Sequence, residues 1–179
     1  KPYTKTTRGT VLIDRSGLWK GKPYKPLTSV NNSSKGRNNL GRITSRNHGG
    51  GHKHKYRIID FHRNKIGVKG HVQRIEYDPN RSCHIMLIKF EDNDFKYYLA
   101  PQNIKVGDII ESGPKAEIKV GNTLQLKDIP AGMDVHNVEI QPGGGGKIAR
   151  AAGSSVNISG IDGNYTIIKM VSGEIRKID

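Results

Sequence analysis

The basic residues of this chain are crowded into its first part, and that asymmetry limits what the chain can fold into more than any other feature. Residues 1–70 carry 17 Lys/Arg against two acids, Asp14 and Asp60, whereas residues 71–179 carry 13 Lys/Arg against 14 Asp/Glu. A net +15 over 70 residues repels itself in any compact state unless a polyanion neutralises it. Nucleic acid is the first candidate partner, and a solvated tail that only aids solubility is the plainer alternative. Residues 1–53 show no sustained period of 3.6 or 2 and are rich in Gly, Ser, Asn, Lys and Arg, most densely in the polar run from Asn31 to Asn39. Such a segment buries too little apolar surface to offset the entropy of ordering it, so alone it is expected to be disordered or loosely held and to order on its partner. Val11-Leu12-Ile13, with Leu18 and Trp19, is the exception and suits a local anchor on the following domain or the partner.

From Tyr56 onward the pattern changes to short runs of Ile, Val, Tyr and Phe. Strands are expected at 56–61, 68–77, 84–90 and 95–100, separated by turns such as Asp78-Pro79-Asn80-Arg81. A second set follows Pro101: a hairpin across Gly121-Asn122, then strands at 135–140, 156–161, 165–171 and 174–178. No stretch of ten residues keeps a helical stripe, so only single helical turns are expected, near 101–104 and 146–151. Closely spaced strands with Gly-rich turns argue for small barrels, with a boundary near residues 101–107. The longest apolar runs are four residues, Ile85–Ile88 and Tyr97–Ala100, far short of the ~20 that cross a bilayer. One cysteine, Cys83, excludes an internal disulfide framework and a Cys-based zinc site.

Three clusters invite chemistry. His48-Gly49-Gly50-Gly51-His52-Lys53-His54 has the density of a metal site, but its glycines leave the backbone loose and Lys53 and Lys55 repel a cation. It suits a loop that approaches RNA closely. Gly143–Gly146 followed by Lys147 is no phosphate-binding P-loop, since Ile148 stands where Ser or Thr is required. Lys147 and Arg150 among small residues instead offer a surface for a sugar-phosphate backbone, against the plainer reading of a flexible hairpin loop. No nucleophile–base signature is present. Aromatic content is only 6%, with no aromatic platform visible, so backbone and shape recognition of folded RNA is favoured over base stacking. The lack of any helix long enough for a DNA major groove favours RNA over duplex DNA.

Nine ordered motifs carry a more specific signal: Gly36-Arg37-Asn38-Asn39, Gly41-Arg42-Ile43-Thr44, Gly49-Gly50-Gly51-His52-Lys53, Tyr56-Arg57-Ile58-Ile59-Asp60-Phe61, Arg63-Asn64-Lys65, Glu76-Tyr77-Asp78-Pro79-Asn80-Arg81-Ser82, Leu99-Ala100-Pro101, Val135-His136-Asn137-Val138-Glu139 and Ala149-Arg150-Ala151-Ala152-Gly153. Together, from about Leu18 to the end, they closely resemble the universal L-two family of large-subunit ribosomal proteins. The resemblance implies an all-β chain with an OB-type barrel followed by an SH3-like barrel and a basic, irregular N-terminal extension. The corresponding division is 1–53 for the extension, 54–104 for the first barrel and 105–179 for the second.

It further implies a non-enzymatic protein without cofactor, metal, membrane or small-molecule substrate. Such a protein binds large-subunit ribosomal RNA, contacts neighbouring ribosomal proteins, and supports subunit association and the peptidyl transferase region. Carried over motif by motif, Arg81 and Arg150 are the principal RNA-contacting arginines, their planar forks suited to phosphate or a base edge. Arg37, Arg42, Arg46, His52, Lys53, Lys55, Arg57, Arg63, Lys65 and Lys147 are further expected contacts. Family members continue past the position of Asp179 into a Gly- and His-rich basic extension, which a separate polypeptide is expected to supply, the alternative being an extension present in the protein but not included in this chain. Abundant Ile, Lys and Asn and the Leu18–Pro23 entry favour a mitochondrial ribosome, with a plastid or bacterial cytoplasm as alternatives. The rivals in other classes are a free RNA chaperone or translation-associated factor and a metal-dependent hydrolase built on the His48–His54 cluster.

Overall fold

A computed structural model describes residues 2–31 and 34–178. Asn32 and Ser33 of the polar run, and both terminal residues, lie outside the described residues. The elements are a four-residue helix α1 (Lys5–Arg8), 3-10 turns at Lys25–Leu27 and Leu126–Asp128, and ten strands: β1 (Thr28–Val30), β2 (Lys55–Arg57), β3 (Gly70–Glu76), β4 (Ile85–Phe90), β5 (Phe95–Leu99), β6 (Ile109–Ile110), β7 (Asp134–Val135), β8 (Val156–Asp162), β9 (Tyr165–Met170) and β10 (Ile175–Ile178). Among the described residues no helix is long and apolar enough to cross a membrane.

The first half-barrel is an antiparallel sheet in the order β5-β4-β3-β6. Alternation along these strands gives the sheet two apolar faces. Val72, Met86, Ile88, Phe90 and Tyr98 pack with Ile104 and Ile110 on one side, as an OB-like core. Ile85, Leu87, Tyr97 and Leu99 pack with Ile59 and Cys83 on the other. Two exposed apolar faces would not be stable in water, and the second is roofed by Tyr24, Leu27 and Phe61. Part of the expected irregular extension is therefore a strap with defined structure. It is anchored where the Trp19 N–H donates to the Ile75 carbonyl (2.8 Å) and where β1 pairs antiparallel with β2.

β6 lies in this first sheet, paired to β3 through Gly70↔Ile110, so the hydrogen-bonded sheet runs past residue 104. The expected hairpin across Gly121-Asn122 does not form as a strand pair. Instead the Asn122 side chain accepts from the Glu111 N–H and donates to the Glu117 carbonyl, while Gly113 N–H donates to the Thr123 carbonyl and Thr123 N–H to that of Glu111. Gly121 (φ +96°) sits so tightly on Ile110 that a Cβ would lie 2.8 Å from its methyl. The stretch is drawn onto the end of the first sheet rather than closing on itself. The second, SH3-like unit is the sheet β10-β9-β8-β7 around Val138, Val156, Ile168 and Ile178.

Tyr97 ties the strap to the first sheet. Its hydroxyl accepts from the Tyr24 N–H (2.8 Å) and donates to the buried Glu76 carboxylate (2.9 Å), which also receives the Arg74 Nε–H (2.7 Å). Burial and the adjacent Glu76 charge push the phenol up to about 12, so it stays protonated as the donor. Tyr97→Phe keeps the ring but leaves the Tyr24 N–H without its acceptor and the Glu76 carboxylate with only the Arg74 donor. We expect a loss of about 1–3 kcal/mol in urea unfolding, and an unchanged midpoint would show that the strap is held without this hydroxyl.

Candidate nucleic-acid interface

The site begins with a buried carboxylate. Asp78 has no solvent exposure, and the turn that follows β3 wraps around it. Its Oδ2 accepts the Arg81 Nε–H at 2.6 Å, while its Oδ1 accepts from the Asn80 N–H and side-chain amide, both at 3.0 Å. The Arg57 guanidinium stands 3.9 Å away, and the Asn80 amide also donates to the Lys55 carbonyl, which joins the turn to β2. Burial opposes the Arg81 charge, but the hydrogen bond and charge of Asp78 outweigh it and raise its pKa above the ordinary arginine value. Arg81 is thus a fixed cation. Its Cζ lies 5.9 Å from the Phe61 ring centre and 6.0 Å from that of Tyr56.

Arg150 reaches the same phenyl ring from the second unit, with its Cζ 4.7 Å from the centre of Phe61. Its loop is not a floppy hairpin. The Glu139 carboxylate accepts the N–H groups of Gly143 (2.9 Å) and Gly145 (3.0 Å), and the Gly146 N–H donates to the Phe61 carbonyl (3.0 Å). Gly146 must lack a side chain, because a Cβ there would lie 2.2 Å from Asn137 Oδ1. Further on, the Arg150 carbonyl accepts from the Cys83 thiol (3.1 Å) and the Ala152 N–H donates to Ser82 Oγ (3.1 Å). The Asp78–Ser82 turn and the Ala149–Gly153 loop are therefore docked together, and Lys147 is exposed beside them. Glu139, Cys83 and Ser82 are not among the contacts expected from the sequence, because their partners here lie in backbone groups that no local pattern announces.

The remaining expected contacts divide. His52, Lys53, Lys55 and Arg57 line a cleft of about 560 Å³ with Lys22, Lys25 and His54. The His52 and His54 rings lie 5.5 Å apart and tilted by 52°, and among the described residues no three His, Cys, Asp or Glu side chains are grouped to hold a metal ion. Arg37, Arg42 and Arg46 are exposed on the loop after the polar run, where Arg37 donates to the Gly41 carbonyl (2.8 Å). Arg63 departs from expectation. It is 6% exposed, lies 4.2 Å above the Tyr98 ring, and donates to the Gly121 carbonyl (2.7 Å) and Thr123 Oγ1 (2.8 Å). Its guanidinium clamps the 121–123 segment to the first sheet and does not face a partner. Lys65 is likewise held between Asp92 (2.5 Å) and Asp94 (2.8 Å), which neutralise it locally.

Two consequences are measurable. Asp78→Ala strips the counter-charge from a largely buried Arg81, and we expect a loss of about 3 kcal/mol in denaturant unfolding, at the low end for a broken buried pair because Arg81 keeps some access to water. His136, near Arg63, is pushed down to about 4 by burial first and the Arg63 charge second. The unfolded chain takes up this proton near 6.5 and the folded one only near 4. Stability therefore falls as pH drops through that window and levels off below it, and His136→Gln should flatten this part of the stability–pH curve.

With this geometry in place, comparison with known proteins is informative. Residues 24–112 match the family described as Ribosomal Proteins L2, RNA binding N-terminal domain, and residues 119–179 match Ribosomal Proteins L2, C-terminal domain. The chain is 67% identical over 180 aligned positions to the large ribosomal subunit protein uL2 of Pelagibacter ubique, covering 100% of this chain and 64% of that protein. Identity is 54% to the uL2 proteins of Granulibacter bethesdensis and Rickettsia akari, covering 99% of this chain and 64% and 65% of theirs. The chain thus spans about 64% of the length of its first relatives. Two adjacent domain matches in the family's order, over a fold with OB-like and SH3-like halves, show that the chain belongs to the L2 family of ribosomal proteins.

Proposed function

We propose that the chain is a structural, non-catalytic component of the large ribosomal subunit that binds ribosomal RNA through a surface shared by its two barrels. The observation that carries this reading is the convergence of Arg81 and Arg150 on Phe61, one arginine from each barrel, with the Arg81 guanidinium fixed by Asp78. Fixed cations lose less side-chain freedom on binding phosphate than free ones. Lys147, the cleft residues His52, Lys53, Lys55 and Arg57, and the exposed Arg37, Arg42 and Arg46 extend the same positive surface. The division into a basic extension (1–53), a first barrel (54–104) and a second (105–179) belongs to this reading, with β6 returning to the first sheet.

Folded RNA is favoured over duplex DNA, because among the described residues the sole α-helix is the four-residue α1. Roles in subunit association and at the peptidyl transferase region, with neighbouring ribosomal proteins as partners, belong to the assembled particle. The relatives compared above are alphaproteobacterial, which supports a ribosome of that ancestry. A mitochondrial setting, suggested by composition, gains no separate support from them.

Binding to large-subunit RNA should weaken by about 10³–10⁵ between ~50 and 200 mM salt if ~6–10 phosphates are neutralised, by analogy with DNA. Arg81→Ala and Arg150→Ala should each cost about 1–3 kcal/mol in a filter-binding assay. A flat salt profile, or full affinity in both variants, contradicts the proposal. Sedimentation of the native protein apart from the large subunit would favour a free RNA chaperone.

A further inference from the structure

The strap does not roof the second face of the first sheet completely. Between Trp19 and Tyr24 it leaves an open notch of about 370 Å³, floored by Leu87 and Phe95 and edged by Gln73 and Arg74. Tyr24 and Phe95 pack with ring centres 4.9 Å apart, and the Arg74 guanidinium lies 4.8 Å from the centre of the Trp19 ring. Gly21 lies so close against the indole that a Cβ there would come within 2.6 Å of it. The indole is thereby held in place while remaining 49% exposed. Phe95 lies far in sequence from Trp19 and Tyr24, so no platform is visible in the sequence alone.

Gln73 marks the site further. It is the residue passed over where the β3–β4 register shifts between Val72 and Arg74, a bulge of the kind that re-aims a side chain. Its amide has no hydrogen-bond partner among the described residues, although it sits at the rim of an apolar notch. A flat ligand with an apolar face and hydrogen-bonding edges fits that combination, since the rings offer stacking surface and the amide both a donor and an acceptor.

We propose that this notch takes one unstacked nucleobase of the RNA that the chain binds. The inference rests on the RNA reading above and adds to it a base contact in a protein otherwise expected to grip phosphates. The basic strap explains why a nucleotide, rather than an apolar side chain, arrives there: Lys20, Lys22 and Lys25 flank the notch in sequence and attract a phosphodiester strand.

Trp19 is the chain's single tryptophan, so its fluorescence reports on the notch directly. The test compares the full chain binding an oligoadenylate hexamer and a ribose-phosphate hexamer of equal charge without bases, at low salt. The proposal expects the base-bearing hexamer to bind about tenfold tighter or more and to quench Trp19 emission. Gln73→Phe, which fills the notch from an exposed position, should bring the affinity ratio close to one, and Trp19→Leu should lower it likewise. Equal binding with unchanged emission overturns the notch alone. A ratio that survives both substitutions also overturns it, because the base then sits elsewhere. Failure of both hexamers to bind overturns the notch together with the RNA reading.

Discussion

The contact of Arg81 with the buried carboxylate of Asp78 organises the surface through which this chain would meet its partner. A carboxylate without solvent exposure is costly to desolvate unless its oxygens are hydrogen-bonded and its charge is countered. Asn80 and Arg81 meet that requirement within four residues, and the demand fixes the turn. Everything docked on the turn inherits the constraint. The Asn80 amide reaches β2, Ser82 and Cys83 hold the Ala149–Gly153 loop, and Arg81 is carried to Phe61.

The two barrels meet at two turns, the one from Asp78 to Cys83 and another that begins at Asp60. Asp60 accepts the N–H groups of His62 and Arg63, which sets the turn so that its residues diverge. Phe61 lies beneath the two arginines and binds Gly146 through its carbonyl, while Arg63 points inward to Gly121 and Thr123. The Asp60 turn therefore sets both the ring that the two arginines share and part of the seam between the halves. Arg63, a cation among the basic first 70 residues, has a structural task because its long side chain carries charge-assisted hydrogen bonds to the Gly121 carbonyl and Thr123 Oγ1, with Asp60 close enough to favour its charge.

Much of this was legible in the sequence. Runs of Ile, Val, Tyr and Phe between turn residues placed β3, β4, β5, β8, β9 and β10 within a residue or two, because strands packed into a core concentrate those residue types. The family motifs then supplied the two barrel types. What failed to show had specific causes. The Gly121-Asn122 hairpin signal was overridden by tertiary hydrogen bonds from Glu111 and Gly113, which no local pattern announces. The strap looked irregular because a segment that roofs an existing apolar face needs only a few anchors, here Tyr24 and Leu27, and no period of its own. Composition cannot separate the buried Arg63 and the paired Lys65 from the exposed cations, since the distinction lies in partners remote in sequence.

The central claim is that arginines from both barrels form one RNA-binding surface rather than two independent ones. A double-mutant cycle on Arg81 and Arg150, measured as affinity for large-subunit RNA at fixed salt, tests it most directly. A shared surface predicts that Arg81→Ala and Arg150→Ala are non-additive by more than about 0.5 kcal/mol. Additivity within that margin, with each single substitution still weakening binding, would contradict the account and leave two separate contacts on one scaffold.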